Sequence, residues 1–256
     1  MPLTDALAIV FAGMAAGAIN AMVGSGTLIT FPVLLFLGYP PLVANVSNNI
    51  GLVAGGFGSI HGYREEIAGQ GALLKRLIPA SLTGSITGAL LLLALPASAF
   101  KAIVPVLILI ALVLVITGPR IQRWAAGEHH ATGAPAGTWK GRALVGGVYC
   151  AGVYGGYFGA AQGVLLLGIM SALLAEPLQR INGFKNVLGT TVNAVAAVVF
   201  IVVAQDKIDW SVAGLIALGA LVGGVLGARV GRRLAPNVLR GVIVVVGTAA
   251  IINLVR

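Results

Sequence analysis

Charge is scarce in this 256-residue chain: Asp, Glu, Lys and Arg together make up 9% of it, against about 25% in a typical soluble domain. So few charged groups cannot cover a water-facing surface, which excludes an ordinary soluble protein. Acid is scarcer still. The seven carboxylates, Asp5, Glu65, Glu66, Glu128, Glu176, Asp206 and Asp209, all fall at a loop or at the end of an apolar run. No carboxylate is therefore expected inside a bilayer to relay protons or neutralise an organic cation, which disfavours a cationic cargo. Cysteine occurs once, at Cys150, so an intrachain disulfide is excluded and a lone thiol in an apolar run reads as packing. His61, His129 and His130 have no Cys or acid set around them; no metal site is expected, and His129-His130 read as part of a solvated loop. The first residues lack a basic n-region and no cleavage pattern comes after them, so the first apolar stretch is expected to stay in the mature protein. No Gly-Lys-Ser/Thr motif or Rossmann context accompanies the glycine-rich segments, so no nucleotide cofactor is expected. Neither is a catalytic constellation, which weakens an enzyme or membrane-embedded assembly factor.

The bulk of the chain is apolar instead: 58% of residues, with a mean hydropathy of +1.01. This composition implies a polytopic all-α membrane protein, with the lipid bilayer as its surroundings. Apolar runs lie near 5–23, 27–37, 41–61, 71–95, 98–118, 142–158, 163–174, 181–204, 210–228 and 236–255. Most reach the roughly 20 residues that span a hydrocarbon core of about 30 Å. The runs 27–37 and 163–174 would reach only about 16–18 Å and read as half-helices, ended by Pro40-Pro41 and Pro177. Small-x-x-x-small spacings at Gly13/Gly17, Gly51/Gly55, Gly84/Gly88, Gly152/Gly156 and Gly223/Gly227 read as helix-packing faces. The polar stretch 119–141 is the one sizeable linker, dividing a first repeat (1–118) from a second (142–256) that together form one transport unit.

The net charge of +9 does not point to nucleic acid, because its distribution matches a membrane topology. Arg120, Arg123, Lys140 and Arg142 place the central linker in the cytoplasm by the positive-inside rule. Counting spans outward, 12 of the 16 basic residues become cytoplasmic; Lys101, Lys207 and Arg256 lie outside, and Lys185 lies within the membrane. Both termini are then outside the cytoplasmic membrane. Segment 5–37 begins and ends outside, and 142–174 begins and ends inside. Each is a broken or re-entrant hairpin followed by three spans, and the two repeats have inverted topology.

The breaks carry the functional signal. Gly24-Ser25-Gly26-Thr27 and Gly159-Ala160-Ala161-Gln162-Gly163 interrupt the apolar stretches in the two halves, and Gly159 stands 135 positions after Gly24 (159 minus 24). Irregular backbone survives in a bilayer only where it lines a cavity or packs on protein, and paired breaks point to a transporter's binding site. Half-helices starting near Thr27 and Gly163 would aim N–H groups and positive dipole ends at an anion, with Ser25, Thr27 and Gln162 as side-chain donors. Asparagines come after each break. Asn182, Asn186 and Asn193 lie within about 40° of one helix face at 100° per residue, with Lys185 about 60° from Asn182. Asn45 and Asn49 repeat the spacing in the first half, with Asn48 offset like Lys185, and Asn20 precedes the first break. Lys185 reads either as a cation lining an anion path or as an interfacial anchor.

At these residues the chain resembles the sulfite exporter TauE/SafE family. One block runs from Gly17 through Asn20 and Gly24-Ser25-Gly26-Thr27 to Pro32, then Gly38-Tyr39-Pro40-Pro41 and Ala44-Asn45-Val46-Ser47-Asn48. The other runs from Gly155 to Gly163, then Asn182-Gly183-Phe184-Lys185-Asn186. Ala161 stands where a glycine is common, Ser47 where threonine is, and Ile181 where alanine is. The resemblance implies transport of sulfite or small organosulfur anions such as sulfonates across the cytoplasmic membrane. A secondary transporter working by alternating access is the leading expectation, with a passive anion channel as the alternative. A proton or sodium ion as coupling ion and a homodimer are admitted by this reading.

Overall fold

The computed structural model describes residues 1–131 and 138–230, and beyond them 241, 243–246, 248–249 and 252. Among the described residues every regular element is helical. Helices α1 (Leu3–Met22) and α2 (Thr27–Phe36) flank the first break, and α3 (Pro41–Gly62), the short α4 (Arg64–Ile67), α5 (Gly71–Ala94) and α6 (Ala97–Ala131) complete the first half. In the second half α7 (Thr138–Tyr157) and α8 (Gln162–Leu173) flank the other break. Then come α9 (Leu178–Val203), a 3-10 turn at Gln205–Lys207 and α10 (Trp210–Val230). The half-helices are as short as the sequence predicts, 10 and 12 residues. The prolines that stop them also start the next helices: Pro40 and Pro177 precede α3 and α9, and Pro41 takes the first position of α3, where its missing N–H costs nothing.

Among the described residues, five helices are long and apolar enough to cross a membrane: α1, α5, the Ala97–Arg120 part of α6, α9 and the Trp210–Arg229 part of α10. This is a multi-pass membrane protein. Helix α3, at 22 residues, is as long, but gives part of its length to Asn45, Ser47, Asn48 and Asn49. One expectation is corrected. Helix α6 continues past Pro119 to Ala131, so His129 and His130 sit on helical backbone rather than in a loop. Residues 120–128 are rich in Arg, Gln, Ala and Glu, good helix formers, and they extend the helix where polarity alone suggested it would stop. The final span expected at 236–255 lies largely outside the described residues.

Close packing organises the bundle. Helix α1 lies along α10, and α10 along α3; α7 lies along α5, and α5 along α9. All five glycine pairs picked out by spacing fall on these contacts. A Cβ built at Gly17 would stand 2.3 Å from the Ala220 carbonyl oxygen, and one at Gly88 would stand 2.0 Å from that of Val153. Backbones this close gain dispersion contacts along their whole length, the term that holds helices together where lipid removes the hydrophobic drive.

The loops sort into two ends. At one, the Tyr39 hydroxyl meets Met1 Sδ at 3.5 Å and the Asp209 N–H donates to Ser47 Oγ at 2.9 Å. Partial burial pushes the Tyr39 phenol pKa up, and the neighbouring Asp209 and Asp5 add to it. At the other end, a Cβ at Gly141 would stand 2.6 Å from the Arg76 guanidinium, one at Gly62 would stand 2.2 Å from Ala228, and one at Gly183 would stand 2.7 Å from Ile67.

Candidate functional site

The two breaks touch. Gly163 N–H donates to the Gly24 carbonyl at 3.0 Å, and a Cβ at Gly24 would stand 2.3 Å from Gly163 Cα. Glycine is needed here twice over: it permits the approach, and Gly24 and Gly159 hold φ of +81° and +78°, where an L side chain is strained. Ala161 adopts the same left-handed region at φ 62° without that freedom. Contact between the breaks satisfies part of the backbone that each leaves open, as a bilayer requires.

The asparagine helices of each half reach across to the other half's break. Asn45 on α3 donates to the Tyr157 carbonyl at the end of α7, 3.1 Å. Asn182 on α9 donates to the Met22 carbonyl at the end of α1, 3.4 Å, and to the Tyr63 hydroxyl, 3.0 Å. Asn186 donates to the Ala21 carbonyl at 3.2 Å. These amides cap the last carbonyls of α1 and α7, which have no partner within their own helices. Asn49 joins Asn193 across the halves at 3.4 Å. Asn48 donates to Thr27 Oγ1 at 3.3 Å and accepts from Thr30, pinning α2 to α3.

Lys185 is 2% exposed, which rules out the interfacial anchor. Its ammonium donates to the Asn20 and Ala21 carbonyls, both at 2.9 Å. The C-terminal end of α1 carries about half a negative charge, so it offsets only part of the cation. No ion pair to a carboxylate joins Lys185 among the described residues. The remaining positive potential faces a cavity.

That cavity is lined by nine of the residues the sequence singled out: Asn20, Gly24 and Thr27 from the first hairpin, Gly159, Gln162 and Gly163 from the second, and Lys185, Asn186 and Asn193 from α9. Gln162 is 4% exposed, and its Nε2 has no hydrogen-bond partner among the described residues. The cavity measures about 20 Å³, room for about one water. The other eight predicted residues do not line it. Asn45, Asn48, Asn49 and Asn182 form the caps and cross-links above, and Ser25, Gly26, Ala160 and Ala161 build the turns, with Ser25 Oγ buried and unpartnered among the described residues. Backbone N–H groups expected to face an anion are partly used: Gln162 N–H donates to the Gly159 carbonyl and Gly163 N–H to Gly24.

Sequence reading missed Gly56, Ser59, Gly189 and Thr190, which also line the cavity. Helical spacing contains the signal. Gly56 lies seven positions after Asn49, and Thr190 four after Asn186, each on the same face. Neither glycine nor threonine stands out in an apolar helix as asparagine does. Thr190 needs its glycine, since a Cβ at Gly56 would meet Thr190 Oγ1 at 2.3 Å.

Touching helix breaks with a polar cavity between them are the arrangement expected of a membrane transporter's binding site. Comparison with known proteins supplies the family. Residues 9–254 match the sulfite exporter TauE/SafE family model, and the chain belongs to that family, a class of sulfur-anion transporters. No curated protein and no solved structure gives a match.

Proposed function

We propose that this protein is a secondary transporter that moves a small sulfur-containing anion, of the sulfite or organosulfonate class, across the cytoplasmic membrane. The observation that carries this reading is Lys185: a buried cation beside two touching helix breaks, in a cavity whose described lining is otherwise polar and neutral and includes no carboxylate. The transported anion lies against Lys185, Gln162, Thr27 and Asn193. Alternating access is favoured over a passive channel by the cavity's size, since a space for about one water is closed to an anion until the halves move. The two repeats are inverted, with both termini outside and the 119–141 stretch inside. Reciprocal packing supports this, α1 on α10 matching α7 on α5, as does the sorting of Met1, Tyr39 and Asp209 to one end and Arg76, Gly141 and Ala228 to the other.

Flux into proteoliposomes tests the reading. A carrier gives saturable uptake of sulfite or a sulfonate with counterflow, and its dependence on a proton or sodium gradient identifies the coupling ion; ohmic conductance would overturn it in favour of a channel. Cysteine-accessibility labelling checks the topology: residues introduced at Lys207 should label from outside and at Lys140 from inside, and the reverse pattern would overturn the scheme.

A further inference from the structure

The charge inventory of the cavity bears on which sulfur anions it takes, given the reading that an anion occupies it. Lys185 is the one lining residue with an ionisable side chain among those described. An ammonium has three donors, and two are held by the Asn20 and Ala21 carbonyls. One remains. Gln162 supplies a second, neutral donor. Its buried Nε2 has no partner among the described residues, and its amide is seated in space that Gly155 leaves open, since a Cβ there would stand 2.3 Å from Gln162 Cδ.

An anion of charge −1 cancels the ammonium and leaves the loaded site neutral. A dianion leaves one negative charge uncompensated beside the C-terminal carbonyls of α1, which are themselves negative. Burying an unpaired charge is costly, and the helix ends do not offset it. About half a positive charge at each N-terminus, of α2 at Thr27 and of α8 at Gln162, is matched by about half a negative charge at each C-terminus, of α1 and α7. Lys185 therefore sets the balance among the described lining residues. We infer that the site selects monoanions, binding hydrogensulfite and alkylsulfonates and rejecting the dianions sulfite and sulfate. Charge decides this rather than shape, because methanesulfonate and sulfate are both tetrahedral and of similar size.

The test measures binding of methanesulfonate, sulfite and sulfate to the purified full-length chain in detergent, at constant ionic strength, from mildly acidic to mildly alkaline pH. Methanesulfonate keeps its charge throughout, whereas hydrogensulfite loses its proton across this range. The expected result is that the ratio of the sulfite Kd to the methanesulfonate Kd rises, approaching about tenfold per pH unit once sulfite is mostly the dianion. Taking the ratio removes any titration of Lys185 itself, of Tyr63 and Glu66 beside α9, and of Tyr154 on α7. Sulfate should bind at least about tenfold more weakly than methanesulfonate. In Asn193→Lys, which adds a second cation to the lining, that gap should close; should this variant fail to fold, the wild-type pH series decides alone. A ratio that stays flat or falls as pH rises, or sulfate as tight as methanesulfonate, overturns the monoanion inference while leaving an anion site standing. Absence of binding by all three overturns the anion site and this inference together.

Discussion

The third helix of the first half, α3, and its counterpart in the second, α9, carry the same framework with different chemistry at one position. Asn45 and Asn182 each cap the terminal carbonyl of the other half's long hairpin limb. Three residues on, the first half has Asn48 and the second has Lys185. Asn48 is spent on Thr27 and Thr30 within its own half, while Lys185 crosses to α1 and keeps one donor for the cavity. The breaks differ in the same sense. Thr27 accepts a hydrogen bond from Asn48, whereas Gln162, which is 135 positions later (162 minus 27), has an unpartnered Nε2 among the described residues. One half braces its own short helix through Asn48, whereas in the other Lys185 crosses to α1 and Gln162 Nε2 lacks a partner among the described residues.

The largest expected effect comes from breaking the contact that both halves share. Gly163→Val should prevent correct folding, because a Cβ there would stand 2.4 Å from Gly24 Cα, backbone that cannot step aside. Gly38→Val is the control: Gly38 has φ +85° but nothing within 4 Å, so it bears conformational strain alone, about 1–2 kcal/mol. Size-exclusion behaviour and thermal unfolding in detergent separate the two, and equal behaviour would mean that the break contact contributes nothing.

Charge at the variable position comes next. Lys185→Gln removes one charge-assisted donor, worth about 1.5–3 kcal/mol, and should weaken anion binding by about one to two decades. Asn48→Ala should leave affinity within about threefold and lower the unfolding temperature, since its bonds hold α2 rather than cargo. Titration calorimetry beside thermal unfolding would expose the reverse pattern.

A smaller contrast sets the breaks against each other. Gln162→Leu should cost about tenfold in affinity with stability unchanged or raised, because the Nε2 it removes lacks a partner among the described residues. Thr27→Val should cost about 1 kcal/mol of stability by stripping Asn48 of its acceptor. Smallest of all, Ala161→Gly should stabilise by roughly 0.5–1 kcal/mol, relief of left-handed strain less the entropy glycine loses. Gly26→Ala should destabilise, because Gly26 has φ −59° and a Cβ there would meet the Ala16 carbonyl at 2.4 Å. A rise in unfolding temperature for the first and a fall for the second is the expected readout.

Much of the architecture was legible because membrane constraints are written in composition. Length of apolar runs predicted α2 and α8 as half-helices, and glycine spacing identified the faces on which α1, α3, α5, α7 and α10 pack. The site was legible only in part. Asparagine in an apolar helix is conspicuous whether it caps a neighbour or faces a cargo, so Asn45 and Asn182 were grouped with Asn186 and Asn193 although only the last two line the cavity. Thr190, Ser59 and their glycines were missed for the opposite reason, being ordinary residues in such helices.

What the sequence determined by itself was the class of molecule, the two breaks and the presence of one basic residue amid apolar surroundings, because scarcity of charge and interruption of helix are local properties with few physical solutions in lipid. Only the tertiary structure decided the division of labour. Whether Lys185 snorkels or caps α1, and whether Asn45 and Asn182 cap the other half's helices or face the cavity, depend on partners more than a hundred residues away in the chain. Hydrogen bonds between such partners leave no trace in local pattern, so the fold alone assigns them.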